Sequence, residues 1–472
     1  MAHVNSSYSS LGVTVIGYQT KRKLPTIAYH AYCPCHRRDR CVSRPAPLLH
    51  LAYSNFCIPA GLSGNAIVKH LQSLSEWTRV LTLSRSQQVS PHQKITHVTA
   101  DLCGPSHAIV ESVKSQIQDI EYVFFCAYLA DPDPEIAFKV NVQMLQTFIS
   151  VLRETGAMRS LKRIILVTGL KQYGVQLGQP KQPMHETDAW LEGEPWPKNF
   201  YYEQQKTLIN AAREDGDRWS WVVTYPQDIV GVARANFMNL ATALGLYASV
   251  SASLGQGEIP FPGAKKTYLA FNSWTSARLH AEFCVWAALK PDADNQGFNV
   301  TNGDTESWHN LWPRLVERYG GKVPPVMFPR GDTGPYGDFE AWHSVSAFPP
   351  AIAKHEEAIG LKGEFSARPN EVRQQIDTVK WAQRPEVRAK WEELREEFNL
   401  EGDTWDKATW RFVTFLLSRE FSCVVSMSKA RKFGWTGYVD TWDAFEETFD
   451  ALEKEGILPP ADKLKSRAHA TL

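Results

Sequence analysis

Ala60-Gly61-Leu62-Ser63-Gly64-Asn65-Ala66 is the stretch on which the fold turns. It opens a segment, Gly64 to Leu74, whose apolar residues recur at helical spacing (Ala66, Ile67, Leu71, Leu74). Glycines at the mouth of a helix let backbone approach a pyrophosphate, and free N–H groups and the helix dipole favour its charge. Turns need glycine too, so the context must decide. Downstream, Val80-Leu81-Thr82-Leu83, Ile95 to Ala100 and Tyr122-Val123-Phe124-Phe125-Cys126-Ala127 read as strands. Asn141 to Leu152 reads as a helix, Arg163-Ile164-Ile165-Leu166-Val167 as a fully apolar strand, and Trp219 to Val223 as another. Strands alternating with helical segments predict an α/β fold with a doubly wound parallel sheet of Rossmann type. Beyond about residue 235 the alternation loosens. Pro260, Pro262 and Gly263 mark a loop, and the stretch after Gly320 is rich in Trp, Pro and charge. A smaller, mostly helical lid is expected there, with Trp308, Trp312, Trp342, Trp381 and Trp391 in its core.

The expected organisation is an irregular extension over 1–55, a nucleotide-binding core over 56–235, and the rest of the core plus a substrate lid over 236–472. Arg85 ends the strand about twenty residues after the glycines, where an acidic side chain would read a ribose 2′-hydroxyl. An arginine suits a 2′-phosphate, so NADPH is the cofactor expected. Asp101 and Leu102, after the next strand, are expected to border the adenine. The turn before the helix is faulty. Ile58 stands where the tight turn needs glycine, and Pro59 cannot donate a backbone hydrogen bond. Leu48 to Ile58, with Ser54 and Asn55, makes a poor first strand. The alternative first strand is Gly12-Val13-Thr14-Val15-Ile16-Gly17, at the cost of a long, unusual loop to Gly61. An incorrect exon boundary within residues 1–60 is a further expectation, which transcript sequencing tests.

Val167-Thr168-Gly169-Leu170-Lys171-Gln172-Tyr173 follows the apolar strand, and Asn199-Phe200-Tyr201-Tyr202-Glu203-Gln204-Gln205-Lys206 comes later. Tyr202 and Lys206, four apart, share a face on a helix. A cation near a phenol favours phenolate and makes the hydroxyl a better acid near neutrality. Tyr202 and Lys206 are therefore candidate catalytic residues. Gly61, Leu62, Ser63, Gly64, Arg85, Asp101, Leu102, Thr168, Gly169, Pro226 and Ile229 are the candidate cofactor contacts. Tyr173 and Tyr201 are candidate walls of the substrate pocket, and Asn141 is a candidate for orienting the site.

These motifs resemble an atypical extended short-chain dehydrogenase/reductase of the progesterone 5β-reductase/iridoid synthase group. The resemblance also rests on Pro226-Gln227-Asp228-Ile229-Val230-Gly231, on Gly297-Phe298-Asn299-Val300-Thr301-Asn302-Gly303-Asp304, and on Ser426-Met427-Ser428-Lys429-Ala430-Arg431-Lys432-Phe433-Gly434-Trp435. It covers roughly residues 60–460. It implies NADPH-dependent reduction of an activated C=C bond, with hydride reaching the β-carbon of an enone or enal. Lys171 and Tyr202 take the family's catalytic positions and would stabilise the enolate oxygen. Plant members usually lack the lysine four residues after the tyrosine. Lys206 therefore leaves ordinary ketone or aldehyde reduction open, and the missing glycine leaves open a nucleotide-binding sensor without turnover.

Composition narrows the rest. The chain has 472 residues, with 51 basic and 51 acidic side chains. Zero net charge argues against nucleic acid or an anionic membrane as the main partner. No run approaches the roughly 18 apolar residues of a membrane span, and no secretory signal is read. A cytoplasmic enzyme acting on a small hydrophobic carbonyl metabolite is expected, with a homodimer as its candidate assembly. Cys33, Cys35, His36 and Cys41 cluster near the start, but their spacing fits no standard zinc module, so no metal is expected. Asn299-Val300-Thr301 fits a glycosylation sequon and is discounted without a secretory signal.

Overall fold

The computed structural model describes residues 14–19, 61–86, 92–117, 119–233, 239–254, 257–328, 341–343, 348–365 and 371–470. The clustered cysteines, Ile58 and Pro59 lie outside them. Seven strands form one sheet: β1 (Thr14–Gln19), β2 (Trp77–Ser84), β3 (Ile95–Thr99), β4 (Tyr122–Phe125), β5 (Arg163–Val167), β6 (Ser220–Pro226) and β7 (Gln296–Val300). Their order is β3-β2-β1-β4-β5-β6-β7. Six run parallel, as the alternation predicted. β4 is buried throughout, and so are the first four residues of β5. Burial on both faces is what makes such strands read as apolar runs.

β1 departs from the parallel expectation. It lies between β2 and β4 and is antiparallel to both, with Thr14 opposite Leu83 and Phe125. The slot would otherwise leave two interior edges with unpaired N–H and C=O groups, and a strand of either direction closes those ladders. The direction has a consequence for the ligand end of the sheet. A parallel first strand would deliver the chain there, straight into the following helix. β1 begins there instead and leaves at the far end, with Gln19 opposite Trp77.

Helices cover both faces. Neighbouring residues within a strand point to opposite sides. Val80, Phe124, Ile165 and Val222 pack with Ile67, Val68 and Leu71 of α1 (Leu62–Ser73). Leu81, Val123, Ile164 and Val223 pack on the other side with α2 (Ser106–Val113), α3 (Pro134–Glu154) and α4 (Phe200–Glu214). Local signals set these helices. Asp133 caps α3 by accepting from Glu135 N at 2.8 Å, and Pro134 supplies a preset first turn. Asn199 caps α4 by accepting from Tyr201 N at 3.0 Å.

The second half builds the lid. α5 (Leu240–Ser253), α6 (Ala277–Leu289), α7 (Trp308–Arg318), α8 (Pro385–Phe398), α9 (Trp410–Leu417) and α10 (Thr441–Lys454) follow in order. All but α6, which packs on the α1 face, meet in one apolar cluster around Trp274, Trp308, Trp312, Trp381, Trp391 and Trp405. The side chain of Trp342 is outside the described residues. Buried Asn299 of β7 joins two connections to the sheet: its Nδ2 donates to the carbonyls of Met184, between β5 and α4, and Ser426, between α9 and α10, each at 3.1 Å. That burial also removes Asn299 as a glycosylation site.

Candidate active site

A cleft opens between the sheet and the lid. Its lining combines Gly61, Leu62, Ser63 and Gly64 with Thr168, Gly169, Lys171, Tyr201, Gln204, Pro226 and Ile229. At one end is the N-terminus of α1. Gly61 precedes it with φ 141°, and no side chain caps the helix. The first N–H groups of a helix have no partner within it, which suits a phosphate. Asn65 anchors this end, donating from Nδ2 to Val232 O at 2.8 Å.

At the other end β5 runs into the Thr168-Gly169 turn. Thr168 N and Oγ1 both donate to Thr224 O, at 3.0 and 2.9 Å, which pins the turn to β6. A Cβ on Gly169 would stand 3.4 Å from Pro226 O and 3.5 Å from the Tyr201 hydroxyl, so the turn, β6 and Tyr201 converge. Lys171 Nζ lies 3.5 Å from the Tyr128 hydroxyl and 5.2 Å from the centre of the Phe200 ring. Asn199 couples the pieces. Its Nδ2 donates to Lys171 O at 2.6 Å while its Oδ1 caps α4 at Tyr201.

The tyrosines are not where the Tyr-x-x-x-Lys spacing put them. Tyr202 is absent from the cleft lining. Its ring stacks on Trp190 at 4.6 Å, and its hydroxyl donates to Gln172 O at 2.7 Å and accepts from Leu191 N at 3.1 Å. Burial pushes its hydroxyl up to about 12. Lys206 is on the surface, paired with Glu192, and reaches neither tyrosine nor cleft. Of the two tyrosines, Tyr201 is the one on the cleft, which Tyr128 also lines. Burial, with Tyr128 adding, raises its pKa well above the usual phenol range, so it stays protonated. Tyr173 is core rather than pocket wall: its hydroxyl donates to Asn299 Oδ1 at 2.6 Å.

The expected cofactor contacts also divide. Gly61 to Gly64, Thr168, Gly169, Pro226 and Ile229 line the cleft, whereas Arg85, Asp101 and Leu102 do not. Leu102 is buried in the core, and Asp101 Oδ1 accepts from Cys103 N at 3.0 Å. Arg85 follows the end of β2, where Ser84 lies opposite Thr99 of β3, and is near enough to Cys103 to favour its thiolate slightly. Asn141 stays out of the cleft and holds one wall. It brackets Leu129, donating to its carbonyl at 2.7 Å and accepting from its N–H at 2.9 Å, next to Tyr128. Gln204, Tyr128 and Asn199 were missed from sequence. The signal for Tyr201 was present: its helical line runs through Leu208 and Ala212, both buried, whereas that of Tyr202 runs through Lys206 and Arg213, both exposed.

A Rossmann sheet with a helix N-terminus at one end of a cleft and a lysine and tyrosine at the other defines an oxidoreductase of the short-chain dehydrogenase/reductase class. The family model for the PRISE-like Rossmann-fold domain matches residues 72–337. The chain is 34% identical over 406 residues to an uncharacterized protein of Schizosaccharomyces pombe, covering 84% of this chain and 96% of that one. It is 28% identical over 409 residues to the short chain dehydrogenase gsfE of Penicillium aethiopicum, covering 84% and 97%. It is 30% identical over 274 residues to an (S)-8-oxocitronellyl enol synthase of Nepeta cataria, covering 55% and 66%. The chain belongs to the PRISE-like family, the group of extended short-chain dehydrogenases that its motifs resemble.

Proposed function

We propose that this protein is an NADPH-dependent reductase of an activated C=C bond in a small hydrophobic enone or enal. The observation that carries the reading is the convergence of Lys171, Tyr201 and the Gly169 turn on one cleft, with Lys206 outside it. Four residues after Tyr201 stands Gln205, whose amide is engaged with Gln172 and the Tyr201 carbonyl. The cation therefore comes from the strand-end turn and not from the tyrosine's helix. The similarity to an enol synthase supports the same chemistry.

The cofactor fits the cleft at the uncapped start of α1, where Gly61 to Gly64 would hold the pyrophosphate. Arg85, at the end of β2, favours the 2′-phosphate. Bound NADPH would supply a hydride. The chain's own residues do the rest. Tyr201 donates a hydrogen bond to the substrate carbonyl oxygen. Lys171 adds positive charge beside the oxygen as the enolate forms, and such preset donors help most when charge appears in the transition state. Phe412, Phe415 and Leu416 hold the apolar skeleton and exclude water. The substrate is read as a secondary metabolite and the compartment as the cytoplasm. All four described cysteines are free, which fits a reducing setting.

The test is NADPH oxidation by the purified protein across matched enones and saturated ketones. Turnover of the enones supports the reading; turnover of the ketones alone sinks it. The antiparallel β1 favours a second reading, a nucleotide-binding protein without turnover, because the strand-to-helix turn of a parallel first strand is not made by β1. Calorimetric titration separates the two: NADPH binding without oxidation of any substrate would favour the sensor.

A further inference from the structure

Asp228 and Arg419 form an ion pair in the cleft wall that the reaction above does not use. Their side chains are only 11% and 8% exposed. Asp228 lies two residues after Pro226, whose carbonyl, like the Tyr201 hydroxyl, stands beside Gly169. Its φ of 35° is one that a residue with a side chain seldom adopts. Arg419 follows α9, whose Phe412, Phe415 and Leu416 form the facing apolar wall. The pair therefore sits where lid meets core, at the Tyr201 end.

The guanidinium has more donors than partners. Of its five N–H groups, Nη2 engages Asp228 Oδ2, and Nη1 donates to the Cys423 thiol at 3.6 Å. A thiol is a weak acceptor, and one hydrogen on each Nη is left over; Nε, sealed from solvent, has no partner among the described residues. A desolvated donor left unpaired costs free energy, which an acceptor on a ligand would recover. Asp228 neutralises the charge, so the wall does not favour an anion. It suits a neutral oxygen on an otherwise apolar molecule.

We propose that Arg419, positioned by Asp228, hydrogen-bonds a second neutral oxygen of the substrate, a hydroxyl or carbonyl distant from the carbonyl that Tyr201 takes. This rests on the enone-reductase reading for the kind of molecule bound, and it narrows the substrates to enones with a second oxygen.

Two saturated ketones of one carbon skeleton, with and without a distal hydroxyl, are titrated calorimetrically into the full chain in the presence of NADPH. The wild type should prefer the hydroxylated ketone by about 10–100-fold, the range of one hydrogen bond to a charged group. Arg419→Gln should bind the two alike. That variant strands a buried carboxylate, so Arg419→Gln/Asp228→Asn, which strands no charge, is measured beside it with a melting curve and should show the same lost preference. Equal affinity of the wild type for both ketones, or no binding of either, overturns the proposal. So does a parallel loss for both ketones in the variants, the mark of a simple clamp. Weakened NADPH binding with the preference intact also overturns it, since the donor would then belong to the cofactor. Enone turnover is assayed separately: a preference without turnover sinks the reaction reading and leaves the Arg419 site standing.

Discussion

Two faces of α4 carry adjacent tyrosines into different surroundings. Tyr201 lines the cleft with its hydroxyl against the Gly169 turn; Tyr202 is clamped between Trp190 and the backbone of Gln172 and Leu191. One residue along a helix is a rotation of about 100°. That rotation separates a residue available to a ligand from one whose hydrogen bonds are already taken. The wall a helix faces decides which tyrosine can act, and the lysine one turn on does not.

The comparison breaks most easily in kinetics. Tyr201→Phe should lower kcat/KM for an enone by about 10²–10³-fold, as loss of one preset oxyanion donor does. Tyr202→Phe should retain activity. A steady-state assay of both variants that shows the reverse pattern would reassign the tyrosine. Lys171→Met should cost somewhat less, about 10²-fold, and Lys206→Ala should leave kcat/KM near the wild type.

Stability should show the opposite order. Tyr202→Phe leaves a buried carbonyl and N–H without their partner, worth about 1–3 kcal/mol in urea unfolding. Tyr201→Phe removes no such pair and should cost less. The pH dependence sharpens the point. Tyr202 is raised to about 12 by burial, above an unfolded value near 10. Its contribution is complete below pH 10 and is lost as pH climbs toward 12, because the unfolded chain ionises first. Melting temperature followed over that range should fall less steeply in Tyr202→Phe. His280 gives an acid counterpart: burial lowers it to about 3, so stability should decline as pH drops below about 6.5. The smallest effect expected is at Lys206, whose exposed pair with Glu192 is worth about 0–1 kcal/mol.

Much of this fold was legible in sequence, and the reasons are local. β4 and β5 are apolar because both their faces are covered, and Asp133-Pro134 and Asn199 announce their helices. Thr168-Gly169-x-Lys171 reached the cleft as expected, since a strand end fixes its own direction. Tyr202 and Lys206 misled because four-residue spacing says that two residues share a face without saying what that face meets. That is set by Trp190 and Leu191, packed against Tyr202 from outside the helix. Tyr173 failed similarly: its partner Asn299 is 126 residues away. β1 was named only as an alternative; a strand of either direction fills its slot, and no strand pattern encodes which one does.

The central claim is that the Lys171–Tyr201 cleft delivers hydride to carbon β to a carbonyl. Reduction of an enone with NADPH deuterated at the transferable position, followed by NMR of the product, tests it most directly. Deuterium at the β-carbon of a saturated ketone is the predicted result. Deuterium at the carbonyl carbon of an allylic alcohol would contradict the account.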